Sequence, residues 1–255
     1  MAVEIFDKTA IEPFFHRWHE GFTRPCLSGC MGSAFADNAV APRSTLISIG
    51  GFHFLSGAPN PALVAKAREE SMGGYAIFVG RDGGWNALIE QLCGDAAAPI
   101  TRYATRREAD APGAAELGRI ADGLKEPYRL RMVDRELYEW SVGSDWARDL
   151  CGNFRSYAEY AEYGLGVVAV RDGVPVSGAS SYTACRGIIE IEIDTREDER
   201  RRGLAFACGA RLIQECLRRD IYPGWDAHNR ESLALAEKLG YRFAGEYPAY
   251  EITGR

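Results

Sequence analysis

The stretch Glu197–Ala205 reads EDERRRGLA, and three consecutive arginines run there directly into Gly203. From Leu204 onward apolar residues recur at helical spacing. Leu204, Cys208, Leu212 and Cys216 fall on one side of a helix expected over Leu204–Arg219. The segment before the arginines, IIEIEIDT at Ile188–Thr195, alternates with period two and predicts a strand. A turn between strand and helix receives the helix's first N–H groups, which have no partner inside the helix, and the positive end of its dipole. That combination holds phosphate. Gly203 removes a side chain where an anion must approach the backbone, and Ala205 keeps the next position small. The arginines add bidentate contacts. No Gly-Lys-Ser/Thr follows, so this is not a Walker A loop, and it is not a dinucleotide GxGxxG fingerprint. A solvated charged turn would contain the same residues.

The bulk properties narrow the ligand. The chain has 255 residues, 46% hydrophobic and 26% charged, which suits an ordinary globular protein with a sizeable core. Its net charge of -6 argues against nucleic acid as the main partner. A local basic patch on an acidic protein suits a small anion. No apolar run reaches membrane-spanning length, and MAVEIFDKTAIEPFF lacks the layout of a signal peptide. The seven cysteines include no CxxC pair, so reduced thiols and a cytoplasmic location are expected.

Outward from the arginine turn, the chain reads as mixed α/β. STLISIGGFHFLSG (Ser44–Gly57) predicts two strands about Gly50–Gly51, PALVAKAREESM (Pro61–Met72) a helix, YAIFVG a strand, GWNALIEQLCG a helix and ITRYATR a strand. TRREADAPGAAELG (Thr105–Gly118) reads as a soft boundary. It suggests an N-terminal α/β domain over 1–125 and a second domain over 126–255. In the second, PYRLRMVD is a strand and helices follow across Glu136–Tyr163. Three strands then turn at Asp172–Gly173 and Arg186–Gly187, before the arginine turn and its helix. IYPGWDA is expected as one strand, RESLALAEKLG as a helix closed by Gly240, and YRFAGEYPAYEI as the last strand.

Arg200-x-x-Gly203-x-Ala205 after a strand resembles the acyl-CoA pyrophosphate loop of the GCN5-related N-acetyltransferases (GNATs), Gln/Arg-x-x-Gly-x-Gly/Ala. Asn229–Tyr241, NRESLALAEKLGY, resembles that superfamily's Asn-led helix ending in Leu-Gly-Phe/Tyr, and the order of elements is similar. RPCLSGCMGSAFAD, GGFHFLSGAPN, GVPVSGASSY and YPGWDAHNRESLALAEKLGY extend the likeness over nearly the whole chain, to the zwittermicin-resistance-type branch. The resemblance implies a C-terminal GNAT fold, a mixed and mostly antiparallel sheet flanked by helices. It also implies transfer of an acetyl group from acetyl-CoA to a primary amine of a small molecule, by direct attack in a ternary complex.

Carried onto this chain, the resemblance assigns the pyrophosphate to the backbone of Arg200, Arg201, Arg202, Gly203, Leu204 and Ala205. It assigns the pantetheine arm to Ile193, Asp194 and Thr195, with Asn229 and Ser232 at the next helix. Asn229 serves equally well as a helix N-cap. A base must take a proton from the amine. Glu190 and Glu192 share a strand face by period two, joined by Asp194 unless a bulge intervenes, and are the candidates. The place where many GNATs keep the glutamate falls nearer Ile189. The tyrosine that many GNATs use as general acid is replaced here by Ala236, leaving Tyr182, Tyr241, Tyr247 or water.

Other groups have plainer readings. His16 and His19 in HRWH form a metal pair only if a third ligand exists, and a packed or surface helix face explains them better. No metal is expected. Asp226 and His228 are read as turn builders rather than an acid–base couple, and Trp140, Trp146 and Trp225 as packing residues. Two rivals remain: a GNAT fold that holds acyl-CoA without turnover, and a tandem-GNAT aminoacyl transferase using charged tRNA. The first half lacks an Arg-x-x-Gly-x-Gly/Ala loop, and the acidic charge disfavours tRNA.

Overall fold

The structure is a computed structural model, and residues 1–71 and 74–253 are described. In chain order the elements are β1 (Val3–Glu4), α1 (Glu12–Phe15), α2 (Glu20–Leu27), β2 (Ser33–Ala36), β3 (Ser44–Ile49), β4 (Phe52–Gly57), α3 (Pro61–Glu70), β5 (Ala76–Gly80), α4 (Gly83–Cys93) and β6 (Ala97–Arg107). Then come α5 (Ala114–Asp122), β7 (Arg129–Met132), α6 (Arg135–Val142), α7 (Tyr157–Tyr163), β8 (Gly166–Arg171), β9 (Val174–Cys185), β10 (Ile188–Thr195), α8 (Leu204–Arg218), β11 (Tyr222–Gly224), β12 (Asp226–Ala227), α9 (Arg230–Lys238) and β13 (Tyr241–Ile252). The α/β class is as expected, with mostly antiparallel sheets flanked by helices. Two compact units form, one from Met1–Arg102 with the segment from Glu246 on, the other from Tyr103–Gly245.

In the first unit the strands run in the order β1-β2-β3-β4-β5, and Tyr250–Ile252 of β13 then pair with Ala76–Phe78 of β5. Only β4 and β5 are parallel neighbours. Gly50 and Gly51 both have positive φ, the hairpin geometry that suits glycine, and they join β3 to β4 as the sequence predicts. Helix α3 is capped by Asn60 and α4 by Asp82, each accepting an N–H at 2.9 Å. Met72, the expected end of α3, lies outside the described residues. Leu46, Leu55, Leu63, Val64, Phe78 and Trp85 belong to one core cluster of this unit. Phe52 and Phe54 join a second, aromatic cluster with Phe22. The HRWH stretch bridges α1 and α2 rather than forming a helix face. His19 opens α2, with its ring 4.5 Å from Tyr247 and 5.1 Å from Phe54. Among the described residues no three metal-capable side chains gather.

The second unit is built on a sheet of order β11-β10-β9-β8-β7, parallel only between β10 and β11. Asp172 and Gly173, both at positive φ, turn β8 into β9 as predicted. Helix α8 buries Leu204, Cys208, Leu212 and Cys216, the predicted stripe. The Thr105–Gly118 stretch ends β6 and opens a helix the sequence reading did not expect. Leu117, Gly118 and Ala121 of α5 are buried, and a Cβ on Gly118 would meet Gln214 of α8. Its short apolar face is masked by alanines and glycines. The expected division at 125/126 falls between α5 and β7 of this unit. IYPGWDA is two strands, β11 and β12, parted at Trp225. Among the described residues no helix is long and apolar enough to cross a membrane.

One buried titratable group gives the first unit a pH-dependent stability. His53 is 2% exposed, with Nδ1 2.9 Å from Ser48 Oγ and Nε2 3.1 Å from Ser71 Oγ. Burial pulls its pKa down from 6.5 to about 4. Unfolded chains take up that proton near pH 6.5, folded ones only near 4, so stability falls as pH drops between those values. From pH 7 to pH 5 the loss is about 2 kcal/mol. Urea unfolding at both pH values should show that extra loss in the wild type and not in His53→Gln.

Candidate functional site

Strand β10 keeps its two-residue alternation throughout. The register irregularity between Glu190 and Ile191 belongs to β9: Glu190 faces Thr183 and Ile191 faces Ser181, so Tyr182 is the extra residue. Ile189, Ile191 and Ile193 therefore share one face and Glu190, Glu192 and Asp194 the other. Ile193 points at α8, where a Cβ on Gly209 would lie 3.2 Å from its Cδ1. Ile189 is fully buried in the core.

The three acidic residues differ in environment. Glu190 is 5% exposed, and its Oε1 accepts the Asp226 N–H at 2.6 Å. Glu192 and Asp194 are half-buried. Asp194 accepts the Thr195 N–H at 2.6 Å, and burial raises its pKa, with Asp149 adding to the rise and Arg200 opposing it.

The site's main geometric feature is a fork. β11 runs parallel to β10 for three residue pairs, ending at Glu190↔Gly224. The chain then turns away at Trp225, and Asp226–Ala227 pair with Tyr103–Ala104 of β6 instead. Glu190 sits in the crotch. Its carboxylate caps the departing Asp226 amide, and a Cβ at Gly224 would lie 2.6 Å from its Oε2. Trp225 is held by three contacts: its Nε1 donates to Ser232 Oγ at 3.1 Å, its carbonyl accepts from Thr105 Oγ1 at 2.6 Å, and its ring meets Tyr241. Beyond Glu190, no strand among the described residues pairs with the β10 edge that β11 leaves. An extended ligand can add there as a strand would.

At the end of that edge lies the arginine turn. Glu197–Glu199 make a short 3-10 turn, Arg201 has φ 62 and Gly203 φ 78. A Cβ on Gly203 would point into open space, so the glycine is needed for its left-handed backbone rather than for clearance within the protein. The first helical bond of α8 runs from Ala207 N–H to Gly203 C=O at 3.1 Å, and no side chain caps the helix. The N–H groups of Leu204, Ala205 and Phe206 are thus left for an outside acceptor. The arginines are not equivalent. Arg202 Nε is 3.2 Å from Glu199 Oε2, whereas Arg200 and Arg201 form no ion pair among the described residues. Arg200 Nε donates to the Thr195 carbonyl at 3.3 Å.

Asn229 caps α9, its Oδ1 accepting the Ser232 N–H at 2.8 Å, and Ser232 Oγ receives Trp225. Ala236 is fully buried. Tyr241 is buried, donates to the Pro223 carbonyl at 2.6 Å and has its pKa raised well above the usual range by burial. Tyr247 belongs to the first unit. Tyr182 stands at the β9 bulge, with its carbonyl held by Asn153 Nδ2 at 3.1 Å.

Sequence reasoning missed Glu199. It is 1% exposed and bonded to Tyr128, Arg171, Arg196 and Arg202. Its only signal was a place in an acidic run, where Glu197 and Asp198 look the same.

Known proteins share this fold. A crystal structure of a GCN5-related N-acetyltransferase-like protein from Streptococcus suis 89/1591 superposes with a TM-score of 0.89 at 40% identity, over 95% of this chain and 96% of that one. A GCN5-related N-acetyltransferase from Sphaerobacter thermophilus shares the fold at TM-score 0.61 and 14% identity, over 100% of this chain and 96% of that one. An uncharacterized N-acetyltransferase of Bacillus subtilis (strain 168), YdfB, is 25% identical over 86% of this chain and 85% of its own length. The model of the GNAT acetyltransferase family matches residues 12–250. With the forked strands and the uncapped helix behind its arginine turn, this chain belongs to the GNAT acetyltransferase family and is an acyltransferase.

Proposed function

We propose that this enzyme moves an acetyl group from acetyl-CoA to a primary amine of a small molecule, by direct attack in a ternary complex. The fork between β10 and β11, leading to the uncapped start of α8, carries the reading. It supplies a strand edge of a length suited to a pantetheine arm and, at its end, N–H groups suited to a diphosphate. The residues from Arg200 to Ala205 would hold the diphosphate. Ile193, Asp194 and Thr195 would line the arm. The amide nitrogen of Asn229, with no hydrogen bond among the described residues, is the group at α9 suited to it.

The amine must lose a proton before its lone pair attacks the thioester carbon. Glu192, half-buried on the face it shares with Glu190, is the proposed acceptor. Glu190 is tied up in the crotch by the Asp226 amide, which leaves Glu192 as the more accessible carboxylate of that face. A strand-edge N–H stabilises the oxyanion. Collapse breaks the C–S bond and releases the CoA thiolate; the remaining extra proton leaves the attacking nitrogen for solvent as the amide forms, and Tyr182 or water protonates the thiolate. No nucleic acid partner enters this reading. The likeness to the zwittermicin-resistance branch makes aminated antibiotics sensible first acceptors to test.

Thiol release should be followed across a panel of aminated metabolites and antibiotics. With a good acceptor at saturation, Glu192→Gln should lower kcat by about 10²–10⁴-fold, and Glu190→Gln by less. Equal kcat in both variants and the wild type would remove the base assignment. Gly203→Val forces a β-branched residue into left-handed backbone and crowds the anion's approach. Calorimetry should show CoA binding weakened by about tenfold or more.

A further inference from the structure

A buried acid, Glu199, lies at the start of the arginine turn. Glu199 Oε1 takes Arg171 Nη1 and, at 3.5 Å, Arg196 Nη2. Its Oε2 takes the Tyr128 hydroxyl at 2.7 Å and Arg202 Nε at 3.2 Å. Arg171 ends β8 and Tyr128 immediately precedes β7, so one carboxylate ties the arginine turn to two strands on the far side of the sheet order. Arg196 is held a second time by Asp198, at 2.6 and 3.0 Å. Arg202, Arg196 and Arg171 are thereby committed to the protein, while Arg200 and Arg201 carry no ion pair among the described residues.

We infer that Glu199 is a positioning residue for diphosphate binding: it anchors Arg202 inward and fixes the turn, so that the α8 amides and the two unpaired arginines meet the ligand. A neutral side chain cannot hold three guanidiniums around one point, because their mutual repulsion is no longer opposed. Without that anchor, the turn that includes the left-handed Arg201 and Gly203 would lose its fixed shape. The inference rests on the proposed role of the loop as the CoA diphosphate site. It assigns to Glu199 a preference for ligands bearing the diphosphate, not the chemistry of transfer.

The test compares two ligands that share the pantetheine arm. Dissociation constants for CoA and for pantetheine, which lacks the diphosphate, are measured on the full chain by calorimetry and ligand-detected NMR. The preference for CoA over pantetheine should fall at least about tenfold in Glu199→Gln, the scale expected for losing charge-assisted positioning. General damage to the fold would weaken both ligands together and leave that ratio alone, which would overturn the inference, as would wild-type behaviour. Should Glu199→Gln fail to fold, Tyr128→Phe, which removes one of the four donors, decides. A loss of preference of about threefold supports the assignment and an unchanged ratio overturns it. A wild type with no preference for CoA would remove the loop's role as diphosphate site, and this inference with it.

Discussion

Parallel strands that part company after three residue pairs leave main-chain donors and acceptors of one strand without a sheet partner among the described residues. Everything around β10 serves that separation. Trp225 turns the chain and is gripped by Ser232, Thr105 and Tyr241, while Asp226–Ala227 find a new partner in β6. Glu190 supplies the hydrogen bond that Asp226 forfeits on leaving the sheet. A closed sheet would have been the cheaper arrangement for the backbone. The open one is sustained by side chains whose packing would otherwise have no purpose at that position, the pattern expected where structure is kept for binding.

Two buried glutamates share the work on either end of the open edge, with opposite electrostatic logic. Glu190 has a backbone amide for its identified partner and lies among carboxylates of the same strand face. Glu199 is surrounded by guanidiniums and a phenol, a fully hydrogen-bonded buried acid of the kind that tolerates burial. The first end suits an amine that must be deprotonated, the second a ligand with two negative charges. The same short strand and turn thus present carboxylates at one end of the open edge and guanidiniums at the other.

Much of this was legible in the chain itself. The period-two run at Ile188–Thr195 and the helical stripe from Leu204 are strong signals, and the backbone obeys both. The glycine that ends the arginine run shows its left-handed geometry. What stayed hidden needed three dimensions. IYPGWDA looks like one strand because nothing local marks Trp225 as a point of departure; Thr105 and β6, over a hundred residues earlier, define it. In Glu197-Asp198-Glu199 only the surroundings tell which acid is inside. Helix α5 has too few large apolar residues to show a period, and its packing partner Gln214 is polar. The bulge at Tyr182 leaves no trace in a run of small residues.

The segment at Tyr250–Ile252 completes the sheet of the first unit by pairing with β5, although nearly all of that unit is encoded before residue 103. During translation the first hundred residues must therefore wait with an unprotected flank on β5 while the second unit is made and folds. Ribosome-bound intermediates stalled before residue 250 would be natural clients for chaperones, and a fragment ending near residue 102 would be prone to self-association through that strand.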